Sequence, residues 1–319
     1  MRRLFTLAAI LATIALLAAA CGGGTTSETD DGLWPEVLEL KDREVTVQLG
    51  NSQLAVGDDR FLFILIDRDN QLILNAQVTA RFFKLEGEEG TLQAETPTRF
   101  VSLEENQVHE HEDGTLHTHT GDDVGGYIAA FRFDEIGNWG VEVSGQRDGE
   151  EFDPLRVRFA VLEQGTVPGI GEPAPRSQQL TLSDVADISE IDTSNPPHPE
   201  LHDLTVAEAL DAGKPMVVAF ATPGFCTSRL CGPVVDEVVV PLYEQYGDQA
   251  IFIHIEPYVL EDARAGRGLI PVAALTEWGL QSEPFIFVVD SDGLIAGKFE
   301  GITNAEEVGA ALEDLLDQS

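Results

Sequence analysis

Basic residues are scarce in this chain: 19 Lys and Arg stand against 56 Asp and Glu in 319 residues, for a formal net charge of -37. A surface of that sign repels nucleic acid phosphates and anionic lipid headgroups, which excludes both as partners. Methionine is scarcer still. With only Met1 and Met216, a thioether copper(I) site is excluded, and a metal site here must suit ions that take imidazole. No serine–histidine–acid order, phosphate-cradling glycine loop or catalytic carboxylate pair stands out from the acidic background, and there is no internal repeat. At 43% hydrophobic residues the chain is too apolar to be disordered, and its length suits two domains of ordinary size. Cysteine is the third shortage: Cys21, Cys226 and Cys231 are the whole set.

Three thiols leave one unpaired in an oxidising compartment, so the compartment matters. Residues 1–20, MRRLFTLAAILATIALLAAA, place two arginines before an apolar run that ends in small residues, which is the pattern of a secretory signal. The junction LLAAAC resembles a bacterial lipoprotein signal. That resemblance implies that Cys21 is acylated, that residues 21–34 form a flexible tether, and that the protein is extracytoplasmic and lipid-anchored to the cell membrane. The alternative is a cleaved signal peptide with an incidental cysteine. With Cys21 lipidated, the two remaining cysteines make a pair.

Residues 35–163 read as β. EVTVQLG, FLFILIDRD, AQVTARFFKLEG, GYIAAFRF, NWGVEVSGQ and RVRFAVLE are short β-branched or aromatic runs separated by Gly, Asn and Asp. Strands at this spacing, without helical periodicity between them, predict an immunoglobulin-like antiparallel sandwich. The runs GDDRFLFILIDRDNQLILNAQVTARFF and YIAAFRFDEIGNWGVEV resemble the YtkA-like and FixH-like extracytoplasmic sandwich domains. Residues 164–200 carry six prolines and read as an interdomain linker. Beyond them, strand and helix patterns alternate: LTVAEALDAG as a helix ended by Gly213, PMVVAFAT and AIFIHIEPY as buried strands, a hairpin around Ser291–Gly293, and a last helix capped by Asn304. The layout is α/β around one sheet.

Within 201–319 the order of elements resembles the thioredoxin-like superfamily, the thioredoxin, TlpA and Sco-type proteins. The match rests on the strand VVAFAT leading into a cysteine-bearing turn, on Pro241 inside the following helix, and on Pro284 just before the strand FIFVV. The resemblance implies a cis peptide at Pro284 facing the active cysteines, and thiol–disulfide exchange through Cys226 as nucleophile and Cys231 as resolving thiol. A cysteine at a helix N-terminus would be favoured as thiolate. The spacing C-x-x-x-x-C departs from the family's C-x-x-C and leaves open which thiol attacks. It also requires Cys226 to lie in the loop before the helix. Two other readings stand beside this one: a copper(I) clamp of Sco type, with His254 as third ligand, and an inert structural disulfide.

The stretch HEHEDGTLHTH holds four of the 7 histidines. Within each flank the spacing of two puts both side chains on one strand face. A hairpin centred on Gly114 pairs His109 with His119 and His111 with His117, and predicts a zinc or copper(II) site. The alternative is a polar loop with weak metal adhesion. His198 and His202 either add ligands or are merely exposed. The chain is thus expected to join an immunoglobulin-like sandwich to a thioredoxin-like α/β domain. It would act on an envelope protein with thiols or a disulfide, in connection with copper-centre assembly, or deliver metal without redox turnover. Thiol exchange itself requires no cofactor.

Overall fold

The computed structural model describes residue 34, residues 44–74, 76–103, 124–226 and 230–317, and the backbone of 106–110 and 116–120. The expected signal segment, Cys21, all of the expected tether except Trp34, and His111 lie outside the described residues.

The first unit is β1 (Val45–Leu49), β2 (Leu54–Ala55), β3 (Arg60–Asp67), β4 (Gln77–Glu86), β5 (Glu89–Leu103), β6 (Asn106–Glu110), β7 (Leu116–Thr120), β8 (Val124–Ala130), β9 (Gly137–Arg147) and β10 (Glu150–Leu162). Eight of these strands form one sheet in the order β1-β3-β8-β5-β4-β9-β10-β2, while β6 and β7 pair only with each other. Strand β5 belongs to both halves of the large sheet: Glu89–Pro97 pair with β4, and Thr98–Leu103 pair with β8. Pro97 sits at that handover, where losing an N–H donor costs least. Phe61 and Phe63 of β3 then meet Phe82 of β4, Val141 and Val143 of β9 and Leu155 of β10 in a single core. Each such side chain contributes about 1.5–3 kcal/mol by leaving water.

The second unit alternates helices with a four-stranded sheet. Its elements are α1 (Val206–Ala212), β11 (Met216–Phe220), α2 (Cys231–Val234), α3 (Val240–Tyr246), β12 (Ile251–Ile255), α4 (Leu260–Arg264), α5 (Ala273–Glu277), β13 (Phe285–Val289), β14 (Ile295–Glu300) and α6 (Ala305–Leu316). The sheet order is β12-β11-β13-β14. Strand β11 runs parallel to β12 and antiparallel to β13. Every residue of β11 and β13 is buried, because both faces are covered. Val217, Ala219, Ile286 and Val288 point to one core, with Val308 and Leu312 of α6. Met216, Val218, Phe220, Phe285 and Phe287 alternate to the other, against Val206, Ala274 and Trp278.

Local chemistry sets the helix ends. Thr205 and Glu208 form a reciprocal capping box at α1, and Gly213 closes that helix in the left-handed conformation with φ 63°. The Asn304 side chain accepts from the Glu307 N–H at the start of α6. Pro241 does not simply kink its helix. It has no N–H to offer back to Glu237, and the turn before it, Val235–Val239, widens to a π-helix in which Val240 N–H donates to Val235 O.

The proline-dense segment 164–200, read as a linker, is part of the second unit. Val167 and Ala174 belong to the core on the Phe220 face, Pro173 bridges Leu294, and fully buried Ser177 accepts from Trp278 Nε1 at 3.2 Å while donating to Glu277. The two units also touch directly. Leu62, Val101, Ile128 and Ile302 form a small shared core, and Arg60 of β3 donates to Glu307 of α6 at 2.9 Å.

Candidate functional site

The sheet directs its chemistry to the C-terminal ends of β11 and β12. After Phe220 the chain turns back on itself: the N–H groups of Phe225 and Cys226 both donate to Thr222 O, at 3.1 and 2.9 Å. That turn places Cys226 in the loop, as the spacing requires, and leaves Cys231 to open α2. Neither Cys226 nor Cys231 is in a disulfide. Cys226 is half-buried and packs against the core that holds Cys231, which is fully buried.

Burial pushes the Cys231 thiol well above its ordinary range, and its hydrogen bond to Cys226 and the charge of that neighbour push it further. The thiolate argument from the helix N-terminus is therefore corrected. The cysteine at that terminus is Cys231, where burial favours the thiol form. Of the two residues, Cys226 is the one partly exposed.

Pro284 follows a cis peptide after Glu283 and leads directly into β13. Glu283 accepts from the Tyr258 hydroxyl at 2.6 Å. Burial, the bond to Glu283 and the nearby cysteines together raise the Tyr258 hydroxyl above its ordinary range. Glu283 is close enough to add its own upward push to Cys231. Cys226, Cys231, Glu283 and Tyr258 are thus one electrostatic neighbourhood at the edge of the sheet.

His254, on β12, is fully buried, and its Nε2–H donates to Ala221 O at 3.0 Å. Its Nδ1 stands 3.8 Å from Asp192 Oδ1. His202, expected to be a ligand or exposed, is buried, with Nε2 at 3.3 Å from Asp192 Oδ2. Asp192, His202 and His254 bring one ligand atom each to within 4.8 Å of one another, a group that can hold a metal ion. Asp192 also accepts the N–H groups of Ser194 and His198, at 2.7 and 2.8 Å. Burial opposes the charge on Asp192, but His202, His254 and these two N–H groups hold its carboxyl below the usual carboxylate range. Desolvation lowers the pKa of His254, against the pull of Asp192.

Glu256, two residues after His254, is buried too, and desolvation raises its carboxyl. Its Oε1 accepts from the Thr193 N–H at 2.8 Å and from the Thr193 hydroxyl, which itself accepts from Gly224 N–H of the cysteine loop at 2.8 Å. His202, His254, Glu256 and Tyr258 line a cleft of about 860 Å³. His198 lies apart, between Glu200 and Asp236 at 3.3 Å from each, and the Asp236 bond raises its pKa.

The histidine hairpin pairs differently from the expected register. Strands β6 and β7 place His109 opposite His117 and Gln107 opposite His119, so the ladder centres on Asp113 rather than Gly114. Moving the centre of the ladder by one residue moves every partner by two positions.

Sequence reasoning reached Cys226, Cys231 and Pro284 but missed Asp192, Glu256, Tyr258 and Glu283. Asp192 sat in a segment read as linker. A signal was nonetheless present in IDTSNPPHPELH, where two acids and two histidines fall within eleven residues. Neither the protein-family models nor the curated proteins compared with this chain give a match.

Proposed function

We propose that this protein is an extracytoplasmic, lipid-anchored thiol–disulfide exchange protein whose second unit is a thioredoxin-like domain and whose first is an immunoglobulin-like sandwich. The observation that carries the reading is the pairing of a half-buried Cys226 thiol with a buried Cys231 thiol that hydrogen-bonds to it. The sheet order and the start of α2 at Cys231 support the thioredoxin-like assignment. The way β5 serves both halves of the large sheet supports the sandwich. Among the described residues no helix is long and apolar enough to cross a membrane, and the anchoring rests on the lipoprotein-like junction at Cys21.

The step follows from the two environments. The Cys226 thiolate attacks one sulfur of a substrate disulfide, forming a mixed disulfide and expelling the other sulfur as a thiolate. Forming that bond removes the Cys226 charge and hydrogen-bond acceptor, two of the causes that keep Cys231 protonated. Cys231 then gives up its proton and attacks the Cys226 sulfur, releasing the second substrate thiolate. The protein dithiol loses two electrons and the substrate disulfide gains them. The partner is an envelope protein bearing a disulfide or, in the reverse direction, a dithiol. The histidines of the β6–β7 hairpin, His109, His111, His117 and His119, add a copper or zinc site that links this exchange to metal-centre assembly.

The test is the reduction potential of the Cys226–Cys231 pair together with insulin-disulfide reduction. Wild type is expected to exchange thiols, Cys231→Ser to accumulate a mixed disulfide through Cys226, and Cys226→Ser to be inactive. A potential below about −300 mV with no exchange would identify a structural bridge and remove the reading.

A further inference from the structure

We propose that Asp192, His202 and His254 bind one zinc-class divalent ion through an oxygen and two imidazole nitrogens, with a fourth coordination position open to the cleft beside Glu256. To coordinate an ion, His202 must exchange the 3.3 Å contact of its Nε2 with Asp192 Oδ2 for the metal, releasing the proton in it; His254 needs no such exchange. His254 Nε2–H is committed to Ala221 O at 3.0 Å, which leaves Nδ1 as the bare acceptor nitrogen of the neutral ring. That Nδ1 is fully buried and has no hydrogen-bond partner. It faces Asp192 Oδ1, another acceptor, across 3.8 Å. Two acceptors held face to face in the interior are unfavourable without a cation to share.

The spacing also fits. Bonds of about 2.1 Å to a tetrahedral zinc put neighbouring ligand atoms about 3.4 Å apart; Asp192 Oδ2 stands 3.3 Å from His202 Nε2, Asp192 Oδ1 stands 3.8 Å from His254 Nδ1, and one ligand atom from each residue lies within 4.8 Å of the others. The outer groups hold the ligands as metal sites require: Ala221 O fixes the His254 ring, and the Ser194 and His198 N–H groups fix the two Asp192 oxygens. Three protein ligands leave a position free, and His202 and His254 both line the cleft. Glu256 lies on the same strand face as His254 and carries a second orphaned acceptor, Oε2. Neither cysteine takes part, so this site is independent of thiol exchange.

The experiment uses the full chain with His109→Asn, His111→Asn, His117→Asn and His119→Asn, which removes the hairpin as a competitor. Calorimetry with zinc is expected to find one ion per chain. Affinity should fall by about 100-fold or more in His202→Gln and in Asp192→Asn, each checked for folding without metal by circular dichroism, and should be unchanged in Cys226→Ser. X-ray absorption of the zinc-loaded parent needs no variant to fold, and should show two imidazoles and oxygen donors without sulfur. Absence of zinc binding, sulfur in the first coordination sphere, or binding that survives Asp192→Asn in the folded protein would each overturn the proposal.

Discussion

Cys226 and Cys231 carry the same functional group in two settings, and the difference is mostly solvent. Burial is the largest cause that keeps Cys231 protonated, Cys226 adds a hydrogen bond and a charge that also favour the thiol form, and a backbone hydrogen bond at Thr222 opposes them. A titration separates these causes. In Cys226→Ser the neighbouring thiolate is gone, so the Cys231 pKa should fall; burial remains, so it should stay above the ordinary cysteine range. Ultraviolet thiolate absorbance against pH reads this directly. A Cys231 that titrates identically in wild type and Cys226→Ser would show that the two sulfurs are not coupled. The same scale explains what the sequence could and could not reveal. Two cysteines, a following helix and Pro284 are local patterns, and a sequence carries them directly. Which sulfur meets solvent depends on Val234, Val235 and Val238 packing over Cys231, and no spacing rule encodes that.

Elements were legible where their residues carried their own period. Strands β1, β3, β4, β8, β9 and β10 and helices α1 and α6 all announce themselves through alternation or caps. Strand β5 does not. GTLQAETPTR is polar on its exposed side and interrupted by Pro97, and its extended conformation is imposed by β4 and β8 on either flank. Segment 164–200 is the opposite case. Its prolines truthfully report a chain without a repeating hydrogen-bond ladder, but they do not report that its side chains are buried by partners far along the chain. One of those contacts is steep enough to test. Gly279 has φ 64°, and a Cβ built there would lie 2.0 Å from Thr166 O. Thr166 in turn donates to Gly279 O at 2.8 Å. Gly279→Ala combines a left-handed backbone with a backbone clash and should cost roughly 2 kcal/mol or more in urea denaturation. Gly232→Ala is the control, since a Cβ there meets nothing within 4 Å; equal losses at both positions would show that segment 164–200 is not held at Thr166.

At the scale of the whole molecule, the question is what joins two units that a linker was expected only to tether. The apolar patch of Leu62, Val101, Ile128 and Ile302 is small, so polar contacts matter. Arg60 reaches from the first unit to Glu307 at 2.9 Å, with side-chain exposures of 11% and 9%, and Arg99 adds a second contact to the same carboxylate at 2.8 Å. Asp58 pairs with Lys298 across the same boundary. Burial alone would raise the Glu307 carboxyl, but the Arg60 hydrogen bonds and charge, with Thr303 and Arg99, hold it below its ordinary value of 4.5. A carboxylate with a lowered folded pKa adds stability that is complete above the unfolded value and fades as pH falls through the folded one. The boundary should therefore hold at neutral pH and loosen in acid, below about pH 4.5. Arg60→Ala leaves Glu307 buried with its main partner gone and should cost about 3 kcal/mol, whereas Glu307→Gln removes the charge and should flatten the acid limb. Thermal melts of wild type and both variants from pH 7 downward measure this, with small-angle scattering to follow separation of the units. If Glu307→Gln keeps the wild-type acid profile, the lock is not electrostatic, and the apolar patch alone must hold the two units together.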